Sequence, residues 1–145
     1  MIANLVVGTI IIAITVVIHT FGLMAVTRGM GLLTDRLRLQ GRRSHIVAML
    51  AAVIGVFAVL TIEVWLWASC YYAMGGVVVG DFETTLYFST ATFATVGYGD
   101  IVASGEWRLL TALEGLSGFL LIGWSTAYLV AAGIRVGPFR AGEHF

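Results

Sequence analysis

The chain has 145 residues, of which 59% are hydrophobic and 11% are charged. This composition excludes an ordinary soluble globular domain and predicts an all-α protein that is integral to a membrane. Eight basic and eight acidic residues balance, so the net charge gives no reason to expect nucleic acid as a partner.

Three apolar stretches, of which only the first is free of charge, predict three membrane-spanning helices. Residues 1–27 contain no charged side chain, and at ~1.5 Å per residue they are long enough to cross ~30 Å of hydrocarbon. The second stretch covers residues 46–74, and the third covers residues 106–134. We do not expect residues 1–27 to be a signal peptide, because they have no basic start and the next charges form an arginine cluster.

The arginines predict the orientation of these helices. The loop at residues 28–45 contains five arginines and one aspartate. By the positive-inside rule, this loop and the tail at residues 135–145 are cytoplasmic, so the N-terminus lies outside. We expect a multi-pass protein of the plasma membrane or a bacterial inner membrane. The arginine cluster is interpreted either as a solvated loop or as a binding surface for anionic lipid.

A shorter segment lies between the second and third helices. It reads "DFETTLYFSTATFA", with Asp81 as a predicted N-cap and Glu83 in the first turn. A helix over residues 83–94 would extend only ~18 Å, about half of a bilayer. Irregular backbone at membrane depth is tolerated only where protein buries it or where it lines an aqueous path. The segment therefore predicts a re-entrant pore loop or a substrate-binding hairpin.

The motif "TVGYGD" follows at residues 95–100. It resembles the signature of the potassium-channel selectivity filter. The region 46–134 is similar to the pore module of that family, with an outer helix, a pore helix at 83–94, the filter and an inner helix. This resemblance implies a channel rather than an enzyme, K⁺ ions in the filter and no organic cofactor. It also implies a homotetramer, because one loop cannot encircle an ion.

The resemblance assigns the ion-coordinating oxygens to consecutive backbone carbonyls, which replace the hydration shell of K⁺. Carbonyls that all face one axis require unusual dihedral angles, which Gly97 and Gly99 adopt at little steric cost. The side chains between them are expected to pack against the pore helix, and Asp100 follows the filter. The coordinating residues are Thr95, Val96, Gly97, Tyr98 and Gly99.

The third helix resembles the inner helix of bacterial two-helix potassium channels. On that alignment Gly118 takes the position of the hinge glycine, although small residues also allow close helix packing. The alignment also predicts four side chains on one helical face. These are Ile122 and Thr126 in the water-filled cavity, and Val130 and Ile134 at the cytoplasmic mouth.

Two positions depart from the family pattern. Ala94 stands where many members have threonine, and Ala91 stands where some bacterial members have a glutamate behind the filter. These changes leave carbonyl coordination intact but put slow filter inactivation in doubt. The N-terminal helix is additional to the pore module and has no regularly spaced arginines, so we do not predict a voltage sensor. Within it, His19 is expected to be satisfied by a neighbour.

Two carboxylates, Glu63 and Glu114, lie inside spanning helices. Counted from the outer helix ends at ~1.5 Å per residue, both are ~10–14 Å deep. A charged carboxylate in lipid would cost several kcal/mol, so each should face protein and be hydrogen-bonded, or else be protonated. We hypothesise that both brace the back of the pore loop. The alternative is two unrelated glutamates, each satisfied by its own neighbours.

The sequence also bears on three alternatives to a potassium channel. A non-selective cation channel is the nearest alternative, and Tyr98 argues against it because related non-selective filters tend to lose this tyrosine. A non-conducting accessory subunit would be free to lose filter residues, yet the run at 95–100 is unbroken. An enzyme is not predicted, because the three histidines are scattered and no catalytic motif is present.

Overall fold

The computed structural model of the protein describes residues 2–36 and 42–136. Within these ranges the chain forms four α-helices and no strand. Three of these helices are long and apolar enough to cross a membrane, whereas the third in chain order has only 12 residues. The predicted all-α membrane architecture is confirmed. The helices are α1 (Ile2–Arg36), α2 (Arg42–Met74), α3 (Phe82–Phe93) and α4 (Arg108–Arg135).

The helices differ at their ends from the stretches that predicted them. α1 continues past residue 27 to Arg36, and α2 begins at Arg42 rather than at residue 46. Much of the predicted basic loop is therefore helical. Charged side chains end a hydrophobic span but not a helix, since arginine is a good helix former. Arg38 of that loop and residues 137–145 of the predicted tail lie outside the described residues.

α1 and α2 form an antiparallel pair. Gly22 of α1 lies against Val59 of α2, and further along the same seam Gly55 of α2 lies against Val26 of α1. At both points a Cβ built on the glycine would come within 2.6 Å of a valine methyl group. Small residues therefore let the two backbones approach closely, as is common between helices in membranes.

α1 also runs parallel to α4. Near their first turns the amide of Asn4 donates to the carbonyl of Glu106. Towards their other ends the hydroxyls of Thr27 and Tyr128 lie 2.9 Å apart. Within the described residues α1 packs on α2 and α4 but does not contact α3. α1 therefore packs beside α2 and α4, and the short helix α3 contacts only those two helices within the described residues.

The short helix α3 is held in an aromatic core. Phe88 and Phe93 of α3 are buried against Trp67 and Tyr71 of α2, and the rings of Tyr71 and Phe88 are 6.2 Å apart. The close packing of large rings gives α3 a fixed position between α2 and α4. This position determines where the segment after α3 begins.

Candidate functional site

The first turn of α3 is capped as the sequence predicts. Oδ1 of Asp81 accepts hydrogen bonds from the backbone N–H of Thr84 at 2.9 Å and from its hydroxyl at 2.7 Å. These bonds lower the pKa of Asp81, the backbone N–H contributing most. The cap fixes the start of α3 one residue before the predicted start, so the helix covers Phe82–Phe93.

The chain turns back immediately after α3. The backbone N–H groups of Val96 and Gly97 both donate to the carbonyl of Ala91, at 2.9 and 3.1 Å. One carbonyl in the last turn of the helix therefore holds the beginning of the 95–100 loop. The end of α3 therefore positions the start of this loop, because only Ala94 separates the helix from it.

The loop has an unusual backbone pattern. φ is +60° at Thr95, +54° at Gly97 and +79° at Gly99, whereas φ is negative at Val96 and Tyr98. A positive φ at a β-branched residue such as Thr95 is a true outlier that costs roughly 1–3 kcal/mol and is found mainly at functional sites. Alternation in the sign of φ can turn successive peptide groups in a common direction, unlike the alternating directions of an extended strand.

The side chains of the loop are open in the single chain. Val96 is 52% exposed and Tyr98 is 72% exposed. The expected packing of these side chains against the pore helix is therefore not found within one chain. Large apolar and aromatic groups at this position are available for contact with another molecule.

The outer end of the loop is tied to α3 by a contact that the sequence analysis missed. The hydroxyl of Tyr87 donates to Oδ2 of Asp100 at 2.8 Å, and the backbone N–H of Ile101 lies 3.0 Å from Oδ1. Tyr87 lies one helical turn before Ala91, on the same face of α3. The four-residue spacing between Tyr87 and Ala91 is the sequence signal that could have identified Tyr87 as a hydrogen-bond donor to Asp100.

Gly118 of α4 lies against the end of α3. A Cβ at this position would overlap the carbonyl oxygen of Phe93 and come within 2.7 Å of its carbonyl carbon. One turn earlier, a Cβ on Gly115 would lie 3.5 Å from the carbonyl oxygen of Thr92, which is ordinary contact. The packing interpretation of Gly118 therefore has a direct structural basis, and its hinge role stays a prediction.

The four predicted pore-lining residues follow Gly118 along α4. Ile122 is half-buried, and the other three side chains are exposed in the single chain. The hydroxyl of Thr126 donates to the carbonyl of Ile122 at 2.9 Å, so it is satisfied within the helix. Their shared helical face is present, because α4 is continuous from Arg108 to Arg135, whereas their role in a pore stays a prediction. The exposed residues are Thr126, Val130 and Ile134.

The two membrane carboxylates are both fully buried but have different partners. Glu114 accepts hydrogen bonds from Ser89 of α3 and, at 2.7 Å, from the hydroxyl of Tyr71. Oε1 of Glu63 is instead hydrogen-bonded to Nδ1 of His19 at 2.9 Å. The expectation that Glu63 braces the pore loop is wrong, because α1 packs beside Glu63 and supplies its partner. The contact of Glu114 with the short helix agrees with the other half of that hypothesis.

Comparison with known families assigns the chain to a class. A family model described as "Ion channel" matches residues 59–135. These residues include about half of α2 and all of α3, the 95–100 loop and α4, and they make up more than half of the chain. The protein therefore belongs to the ion channel family and is a multi-pass membrane protein. Neither curated proteins nor solved structures give a match to the chain.

Proposed function

We propose that this ion channel is selective for K⁺ and conducts it passively through the centre of a homotetramer. The observation that carries the proposal is the recurrence of positive φ at Thr95, Gly97 and Gly99 within the motif "TVGYGD". A backbone of this kind can present several carbonyl oxygens to one ion. K⁺ exchanges its hydration shell for these oxygens without meeting a fixed charge that would hold it.

The orientation of α3 supports the same function. Its N-terminus is capped by Asp81 and its C-terminus leads into the loop at Thr95. The C-terminal end of a helix carries a partial negative charge, which favours a cation near the inner end of the filter. The hydroxyl of Thr95 offers a further oxygen at that end.

We propose a tetramer because one chain cannot surround an ion. A single loop supplies carbonyls on one side of an ion only, so several copies must surround it, and closed rotational symmetry is the usual arrangement. The exposed side chains of Val96 and Tyr98 give each loop a surface with which a neighbouring copy can pack. We propose four copies, in which the exposed face of α4 with Thr126, Val130 and Ile134 lines the inner part of the pore.

The proposed orientation places the basic end of the bundle in the cytoplasm. The start of α2 and the end of α4 are adjacent, since Nδ1 of His45 is 2.7 Å from the carbonyl oxygen of Val136. Exposed arginines from three helices therefore gather at this end, where anionic lipid is the partner we propose. The exposed arginines are Arg28, Arg36, Arg43 and Arg135.

Reversal potentials test the proposed selectivity. The purified protein is incorporated into planar bilayers with K⁺ on one side and Na⁺ on the other. We expect a reversal potential close to that of a pure K⁺ conductance. A reversal potential near zero would identify a non-selective cation channel, and the absence of current from assembled protein would identify an accessory subunit.

A further inference from the structure

Glu114 joins the three helices that surround the base of the filter loop. It lies on α4, its Oε2 accepts from Tyr71 of α2, and its Oε1 accepts from Ser89 of α3. All three residues are at most 1% exposed. The Ser89 oxygen also lies 3.2 Å from the carbonyl oxygen of Val64, which places this cluster directly beside α2. One carboxylate therefore sets the spacing of α2, α3 and α4 at a single depth.

The chemistry of the cluster suggests a positional role. Both hydrogen-bond partners of Glu114 are neutral hydroxyl groups. A buried carboxylate without a cationic partner contributes little net stability, and an apolar residue of similar volume would pack there at lower cost. Directed hydrogen bonds, in contrast, define the distance and orientation of the groups they join. An apolar residue could fill the same space, but it could not define the distances and orientations that the hydrogen bonds define.

A second contact between α3 and α4 further constrains the position of α3. Ser89 and Phe93 are four residues apart on α3, and Glu114 and Gly118 are four residues apart on α4. The pairs Ser89–Glu114 and Phe93–Gly118 therefore lie one above the other along a shared seam. Two contact points fix the rotation of α3 as well as its distance from α4.

The fixation extends to the filter loop through the backbone. The carbonyl of Ala91, between Ser89 and Phe93 on α3, accepts the N–H groups of Val96 and Gly97. A shift or rotation of the last turn of α3 would therefore displace the loop by a similar amount. Sites that discriminate between ligands need their groups held within about 0.5 Å by supporting contacts.

We infer that Glu114 is a positioning residue for the filter: it holds α3 against α2 and α4 through Ser89 and Tyr71, so that the discrimination between cations depends on a side chain remote from the ion path. This inference rests on the proposed function of the 95–100 loop. The cation specificity of that loop then depends partly on a residue of α4.

Four variants test the role. Glu114→Leu removes both acceptors, whereas Glu114→Gln keeps an amide oxygen of the same reach. Ser89→Ala and Tyr71→Phe each remove one donor and provide a milder test if Glu114→Leu does not assemble. Glu83→Gln is the matched control, because Glu83 is an exposed carboxylate on the same short helix.

Two measurements are made on assembled tetramers of each variant. The first is the permeability ratio of K⁺ to Na⁺, and the second is amide hydrogen exchange across residues 82–93. We expect Glu114→Leu to lower the ratio about tenfold, the order of effect of losing one or two hydrogen bonds, and to accelerate exchange in α3. Ser89→Ala and Tyr71→Phe should lower the permeability ratio and accelerate exchange in α3 to a smaller extent. Glu114→Gln should retain most of the ratio, and Glu83→Gln should match the unmodified protein.

The outcomes separate this inference from the proposed function. Assembled Glu114→Leu tetramers with an unchanged ratio and unchanged exchange in α3 would overturn the positioning role, even if their yield were reduced. If Glu114→Leu gives no tetramers, unchanged exchange in Ser89→Ala and Tyr71→Phe would overturn it equally. An unmodified protein without preference for K⁺ would contradict the proposed function, while the exchange measurement would still decide whether Glu114 positions α3.

Discussion

At the scale of single residues, two glycines are required for different physical reasons. Gly97 has φ of +54°, and a Cβ built there would meet no atom within 4 Å in the single chain, so its constraint is conformational. Gly118 lies in a regular helix, and a Cβ there would overlap the carbonyl oxygen of Phe93, so its constraint is steric. The same substitution by alanine should therefore have different effects at the two positions.

Gly118→Ala should destabilise the contact between α3 and α4. The methyl group forces the helices apart, and overpacking of this kind costs roughly 1–3 kcal/mol. The free energy of unfolding in detergent measures the loss. Gly115→Ala is the control on the same seam, since its Cβ would be 3.5 Å from the nearest atom. Equal stability of the two variants would show that Gly118 is not a packing glycine.

Gly97→Ala should leave assembly intact and abolish selective K⁺ current. A left-handed conformation costs alanine roughly 1–2 kcal/mol more than glycine, which is small for the whole protein but sufficient to change the shape of the loop. Tetramer yield and bilayer currents are measured together. Gly105→Ala, outside the motif and without a positive φ, should behave as the unmodified protein. Unaltered selectivity in Gly97→Ala would show that the loop does not line the ion path.

At the scale of elements, a buried pair attaches α1 to the rest of the protein. His19 and Glu63 are both fully buried and hydrogen-bonded to each other. The His19 ring also lies 5.1 Å from the ring of Trp124 on α4. A polar group left alone at this depth has no water to solvate it. The pair therefore fixes the register of α1 against both neighbouring helices.

Breaking this pair should loosen α1 strongly, whereas removing both partners should not. His19→Leu leaves the Glu63 carboxylate without its partner, and the loss of one member of a buried pair costs roughly 3–5 kcal/mol. In the double variant His19→Leu, Glu63→Leu most of this stability should return. Denaturant unfolding of the single and double variants measures the coupling. If the double variant is as unstable as the sum of the single variants, the two side chains are energetically independent.

Some elements could be predicted from the sequence and others could not, for a physical reason. The spanning helices and the capped short helix depend on local signals, namely apolar runs and the Asp81 cap. The partner of Glu63 depends on tertiary packing between residues 44 positions apart. The contact of Gly118 with Phe93 likewise arises only when α3 docks on α4. Sequence therefore predicted which residues are unusual but not the partners of Glu63 and Gly118.

At the scale of the whole molecule, one chain has surfaces that a membrane and further copies can cover. Large apolar side chains are exposed along the spanning helices, including Ile54 and Phe57 on α2 and Phe119 and Leu120 on α4. Lipid covers such groups at no cost, and in the proposed tetramer a neighbouring copy covers those near the pore. The orientation of the chain in the membrane and the number of copies in the assembly are therefore properties of the whole molecule.

Cysteine labelling tests the proposed orientation. Asp35→Cys lies at the exposed basic end of α1, and Gly105→Cys lies in the exposed loop before α4. In sealed cells a membrane-impermeant thiol reagent should react with Gly105→Cys from outside and should reach Asp35→Cys only after the membrane is opened. The native Cys70 is replaced by alanine in both variants to remove background labelling. The opposite pattern of labelling would reverse the topology.

Anomalous X-ray scattering from crystals grown with Tl⁺ in place of K⁺ tests the central claim most directly, because it locates the ion and counts the chains around it. We expect Tl⁺ peaks in a line on a fourfold axis, coordinated by the backbone carbonyls of residues 95–99 from four copies. Tl⁺ sites elsewhere in the protein, or loops that do not surround a common axis, would contradict a carbonyl filter formed by this motif.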